Sequence, residues 1–192
     1  DMNDVFDSYT VGAKAATELS GIKLGADARY AALTLEKKIA DEIAYTKDDN
    51  NMAKLVLTAD AGLVDGKLAY AMTDKDGGLT ALDNDANTTL LGWSLFANGK
   101  ADADYVQAVL GFDILSNLNL SANYGNIQYL AAANDTVEVE EEEVYAQLLY
   151  KMSKNLSTYV RYGTYDKEVS STTGTKVLND DTRGRLQVEY TF

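Results

Sequence analysis

Hydropathy that flips at nearly every residue is the feature that most constrains this chain. From Leu156 to Tyr165, LSTYVRYGTY, one side holds Leu156, Thr158, Val160, Tyr162 and Thr164. The other holds Ser157, Tyr159, Arg161, Gly163 and Tyr165. Val144 to Met152 repeats the pattern, setting Val144, Ala146, Leu148, Tyr150 and Met152 against Tyr145, Gln147, Leu149 and Lys151. A period of two belongs to an extended strand whose faces meet different surroundings. Seven further segments read the same way, at 9–18, 22–33, 52–63, 67–73, 105–114, 118–129 and 183–192. Helical spacing fits only LEKKIADEIAY (35–45), where Leu35, Ile39 and Ile43 recur four apart.

The connections come in two alternating lengths. LSG (19–21), VDG (64–66), LSN (115–117) and SKN (153–155) suit tight hairpin turns. Between them lie long polar stretches at 34–51, 74–104, 130–143 and 166–182. Short turns at one rim and long loops at the other are the layout of an antiparallel transmembrane β-barrel. The longest uncharged apolar runs, such as YLAAA (129–133), are far from the roughly eighteen residues of a membrane helix. The fold expected is therefore all-β, with about 9–10 strands in one barrel domain spanning 1–192. An odd count cannot close antiparallel on itself. Either LLGWSLFA (90–97) is a tenth strand, or the chain is the C-terminal half of a barrel of about eighteen strands, the reading favoured here. A start on Asp1 without Met fits a processed chain or part of a longer one.

The two faces differ in kind. Ile22, Leu24, Leu55, Leu57, Leu68, Tyr70, Val106, Leu110, Phe112, Leu118, Leu120, Leu148, Tyr150, Val160, Leu186 and Val188 fall outward with no charge among them. A lipid-facing wall demands this, because Arg or Lys at the bilayer midplane costs about 2–4 kcal/mol. Phe112, Tyr150, Tyr190 and Phe192 cluster near the short-turn rim; Tyr30, Tyr124 and Tyr162 lie farther up, like two interfacial girdles. The inward face carries Lys14, Lys23, Arg29, Lys54, Lys67, Lys151, Arg161, Arg183 and Arg185 beside Glu18, Asp27, Asp60, Asp113 and Glu189. A water-filled lumen accommodates such charges. A soluble sandwich, the competing reading of the same periodicity, would have to bury them.

Composition narrows the chemistry. The 192 residues include no Cys, Pro or His. Disulfides, thiol nucleophiles, His-based triads and His-ligated zinc are all excluded. A net charge of −13 disfavours nucleic acid as a partner. The acidic run EVEEEE (138–143) reads as a solvated loop, and it shares calcium-like composition with TKDDNN (46–51), DKDGG (74–78) and DNDAN (83–87). None has the ligand order of a twelve-residue calcium loop, so calcium at the acidic loops is the only cofactor entertained. No catalytic residues are expected.

LLYKMSKNLSTYVRYGTYD (148–166) resembles the penultimate hairpin of bacterial general porins, with Tyr150, Ser153, Lys154, Tyr159 and Tyr162 in the family's places. TRGRLQVEYTF (182–192) resembles the terminal assembly signal of outer-membrane barrels, Tyr190 and Phe192 being its aromatics. The wider layout is similar to the OprD-like major outer membrane porins of Campylobacter-type bacteria. That resemblance rests on GFDILSNLNLSANYG (111–125), the long loop holding LLGWSLFANG and the ending DDTRGRLQVEYTF (180–192).

The resemblance implies a trimeric diffusion pore in the outer membrane. It would sit among lipid and lipopolysaccharide, and the barrel-assembly machinery would recognise its C-terminus. Solutes and ions would pass a wall lined by Lys14, Lys23, Arg29, Lys54, Lys67, Lys151, Arg161, Arg183, Arg185 and Glu189. A folded-in loop around Asp83, Asp85, Asp102 and Asp104 would face that wall, and the acidic loops suggest a preference for cations. The alternative is a non-conducting structural or adhesive barrel that anchors the envelope or displays acidic loops.

Overall fold

The computed structural model describes residues 6–37, 48–78, 92–131, 136–171 and 174–191. They form one antiparallel sheet of nine strands in which sequence neighbours are also sheet neighbours. The strands are β1 (Phe6–Leu19), β2 (Ile22–Leu35), β3 (Asp49–Asp60), β4 (Val64–Thr73), β5 (Ala101–Leu115), β6 (Leu118–Leu130), β7 (Glu138–Lys151), β8 (Leu156–Ser171) and β9 (Gly174–Tyr190). β1 and β9 stand at opposite edges of the order, so the sheet is not closed within the described residues. The helical spacing at 35–45 falls mostly on residues outside the described ones.

Local chemistry sets the turns. Ser20 (φ 52°) and Gly21 (φ 82°) form a two-residue link in the left-handed region, which matches the twist of the strands it joins. The β3–β4 turn sits three residues earlier than expected, at Ala61–Leu63 rather than VDG (64–66). Gly62 supplies the positive φ of 88°. The Asp60 side chain accepts from the Gly62 N–H at 2.8 Å, and the Ala61 N–H donates to the Val64 carbonyl at 2.9 Å. An Asp that hydrogen-bonds two residues ahead makes this turn, and Val64 and Asp65 then pair with Phe112 and Gly111 in β5.

Two long stretches expected to be loops are strands. EVEEEE (138–143) opens β7 and pairs on both sides, Glu142 with Asn126 and Asp166. The stretch 166–182 is mostly the far end of the β8–β9 hairpin, with Asp166 opposite Asp180. Hydropathy gave no warning, because here the outward positions are acidic too, beyond the apolar band. LLGWSLFA supplies no tenth strand: residues 92–97 run irregularly across the inner face, and 90 and 91 lie outside the described residues.

The faces sort as expected. Among the described residues, every large apolar side chain assigned outward except Leu118 is exposed, up to Leu110 at 61%, Val188 at 64% and Leu186 at 71%. No second layer packs on that face among the described residues. Exposed apolar surface of this extent marks contact with another phase or partner. Its upper limit is marked by tyrosines whose hydroxyls donate to acids one step farther from the short turns. Tyr70 donates to Asp104 in this way, and Tyr124 donates to Glu142 at 3.0 Å.

Candidate functional site: the inner wall

The core lies on the inner face under residues 92–100. Leu95 and Ala97, at 2% and 0% exposure, pack with Met52, Ala69, Ala71, Ala103, Tyr105 and Ile127. The segment is pinned at its return end by backbone bonds, Gly99 N–H to Gly78 O at 2.9 Å and Lys100 N–H to Ala97 O at 3.0 Å. Thr73 Oγ donates to the Lys100 carbonyl at 2.7 Å and accepts from the Ala103 N–H at 2.9 Å. Gly92 is required by close approach, because an added Cβ would sit 2.5 Å from Glu143 Oε1 and 2.6 Å from the Tyr105 hydroxyl.

The registers gather the predicted wall residues into two clusters. In β1–β4, Asp27 receives Arg29 at 3.0 Å and Lys14 at 3.6 Å. Arg29 stands directly opposite Lys54, which is buried. Lys67 lies farther along the same face, and Lys23 pairs with Asp60 at 3.4 Å. In β7–β9, Arg161 is directly opposite Arg185, and Arg183 lies two residues on. Arg161 donates to Gln147 at 2.6 Å and sits over the rings of Tyr145 and Tyr159, at 5.4 and 4.5 Å. Arg183 pairs with Asp181 at 3.4 Å and covers Tyr165 at 3.8 Å. Arg185 lies 5.9 Å from the Trp93 ring. Lys151 and Glu189 are exposed near the short-turn rim.

The expected constriction acids are placed elsewhere. Asp102 and Asp104 belong to β5 and point outward, away from residues 92–100, because they alternate with the buried Ala101, Ala103 and Tyr105. Asp83 and Asp85 lie outside the described residues. The assembly aromatics divide likewise: Tyr190 is exposed on the outer face of β9, and Phe192 is not described.

The acids that do reach the folded-in segment are Glu141 and Glu143, both buried. Glu141 binds Lys100 at 3.4 Å, Lys167 at 3.0 Å and the Tyr129 hydroxyl at 2.5 Å. Lys100 lies 3.9 Å from the Tyr129 ring centre, and burial pushes its ammonium below the ordinary lysine range against the pull of Glu141. Glu143 accepts from the N–H groups of Trp93 and Ser94. Glu141, Glu143, Lys100, Lys167 and Trp93 all escaped the sequence reading. Carrying the parity of Tyr145 and Gln147 back through Glu143 and Glu141 finds the two acids; their partners, 26 residues away at Lys167 and up to 50 at Trp93, leave no local trace.

Among the described residues no three acids converge as a cation site. DKDGG instead forms a self-satisfied turn. Asp74 accepts from Asn51 at 3.2 Å and from the Asp76 N–H at 3.3 Å, and the Asn51 bond leads in holding its carboxyl below the usual range.

No protein-family model matches the sequence, and no curated protein does. Solved structures do match in fold. OccK2 (OpdF) of Pseudomonas aeruginosa, crystallised with glucuronate, has a TM-score of 0.74 at 16% identity, over 99% of this chain and 51% of its own. OccK10 (OpdN) of the same organism gives 0.70 at 20% identity, over 98% and 54%. OpdL, also from Pseudomonas aeruginosa, gives 0.70 at 20% identity, over 99% and 52%. These neighbours are OprD/Occ outer-membrane porins. The chain thus has the fold of part of such a barrel and spans about half the length of the chains it matches.

Proposed function

We propose that the chain forms the C-terminal half of a bacterial outer-membrane porin, a passive diffusion path for ions and small hydrophilic solutes with no chemical step. One observation carries the reading: a single-layer sheet exposes a continuous apolar face on one side and carries charged side chains on the other. Among the described residues, β1 and β9 each have one edge of backbone groups without a neighbouring strand, over 14 and 17 residues. Such groups cost several kcal/mol each in hydrocarbon, so further strands are needed to close the wall.

The wall favours small anions over the cations that the acidic loops suggested. Glu141 and Glu143 are occupied by Lys100, Lys167 and backbone N–H groups. Asp102 and Asp104 face outward. Arg161 and Arg185 stand directly opposite each other on the inner wall, and like charges so placed are eased by an anion. The glucuronate in the OccK2 structure is a carboxylate, and it is carried over here only as a class.

The Campylobacter-type assignment rests on the hairpin at 111–125 and the ending at 180–192, whereas the structural neighbours reported above come from Pseudomonas aeruginosa. The homotrimer, contact with lipopolysaccharide, and recognition of Tyr190 and Phe192 by the assembly machinery belong to the same reading.

The test is a planar bilayer holding the complete barrel that carries this segment. Stepwise openings are expected, with a reversal potential in a KCl gradient on the anion side. R161Q/R185Q moves it toward cations. A silent bilayer favours the non-conducting anchor, and an unmoved reversal potential removes the anion preference.

A further inference from the structure

The run EVEEEE divides by parity into two unlike sets. Glu138, Glu140 and Glu142 point outward, and Glu140 and Glu142 take hydrogen bonds from Asn126 and Tyr124. Glu141 and Glu143 point inward and are 6% and 2% exposed. A buried carboxylate is costly unless each oxygen is bonded. Glu143 meets that need by using one oxygen for the Trp93 N–H at 2.7 Å and the other for the Ser94 N–H at 2.8 Å. Two successive backbone N–H groups aimed at one anion make a nest. Here the anion belongs to the wall and the nest to the segment crossing it.

The surroundings complete the grip. Gly92 lets the backbone approach, Tyr145 meets the Trp93 ring edge-on at 5.3 Å, and Arg183 donates to Ser94 Oγ at 3.1 Å. Glu141, two residues away on the same face, holds the other end through Lys100.

We propose that Glu143 is a positioning residue that latches residues 92–100 to the inner wall, with Glu141 holding the Lys100 end, and so fixes where Trp93 stands beside Arg185. The consequence for permeation rests on the pore reading; the latch itself does not. Glutamine at 143 retains one acceptor oxygen and turns an N–H donor on the other N–H, so it satisfies only half of the nest. Aspartate keeps both oxygens on a shorter stem and restores part of the hold.

Trp93 is the only tryptophan in this sequence and reports on the latch directly. In the complete barrel folded in detergent, its emission is isolated by subtracting the signal of the Trp93→Phe variant. Acrylamide quenching is expected to rise about twofold in E143Q, in keeping with loss of a buried charged hydrogen bond. Glu143→Asp falls between E143Q and wild type, and the outward control Glu140→Gln leaves quenching unchanged. Gly92→Ala disturbs the same contact from the segment side and raises quenching too. In bilayers, E143Q and Gly92→Ala add current substates that Glu140→Gln lacks. Unchanged quenching in both E143Q and Gly92→Ala overturns the proposal. So does loss of the heat-modifiable band in both, which makes the contact a requirement for folding rather than for position. A silent wild-type bilayer with quenching that still responds overturns the pore reading and leaves the latch standing.

Discussion

β1 and β5 are antiparallel strands of one sheet with the same two-residue alternation, yet their inner faces differ. β1 is exposed at every position after Phe6, on both sides. β5 alternates strictly at first, with Ala101, Ala103, Tyr105 and Gln107 buried and Asp102, Asp104 and Val106 exposed. The difference is the segment 92–100, which covers β5 and its neighbours but leaves β1 bare. Alternation decides which way a side chain points. Whether that side is dry is decided by chain arriving from elsewhere. The described sheet therefore holds little core of its own, and its one sizeable core is made by the strap folded across it.

The contrast is broken most sharply by Leu95→Ala, which empties a 2% exposed site at the centre of that core. A loss of about 2–5 kcal/mol is expected in denaturant unfolding of the detergent-folded barrel. The outer faces of the same two strands should behave alike. Val11→Arg and Leu110→Arg each cost up to about 2–4 kcal/mol, depending on depth, in unfolding from lipid vesicles. A much smaller penalty for Val11→Arg would place β1 outside the lipid-facing wall. Tyr105 then isolates packing from polarity. It is fully buried, and its hydroxyl has no hydrogen-bond partner among the described residues. Tyr105→Phe should be neutral or stabilising by about 1 kcal/mol in the same assay. Least of all, Lys14→Ala on bare β1 should cost under about 1 kcal/mol. Its ion pair with Asp27 spans 3.6 Å with the lysine side chain 68% exposed, and any effect should fade with added salt.

Much of the wall was legible because its physics is local. The outward series from Ile22 to Val188, the tight turns at 19–21, 115–117 and 153–155, and the inward cations all follow from parity along single strands. Signals failed where partners are distant or faces alike. VDG resembles a turn, yet Asp60 had already capped one on Gly62. The acids of 138–143 resemble a solvated loop because both faces there are polar, the inner one matched by Lys100, Lys167 and the backbone of Trp93 and Ser94. Asp102 and Asp104 adjoin the folded-in loop in sequence, yet the parity of Val106 carried back by two and four residues turns them outward. Residues 92–99 of LLGWSLFANG form no strand, and their docking surface runs from Met52 of β3 through β7 to Arg183 of β9, so no window of sequence contains it.

The placing of Arg161 directly opposite Arg185 carries a thermodynamic consequence for the pore proposed above. In that reading, like charges directly opposite each other weaken the β8–β9 pairing, and an anion bound beside them would offset this. Permeation and folding would then be linked equilibria: a solute bound at this point would stabilise the barrel, by about 2.7 kcal/mol at a hundredfold excess over its dissociation constant. A rise in melting temperature with a candidate anion, absent in R161Q/R185Q, would support the proposed anion path without a current being recorded.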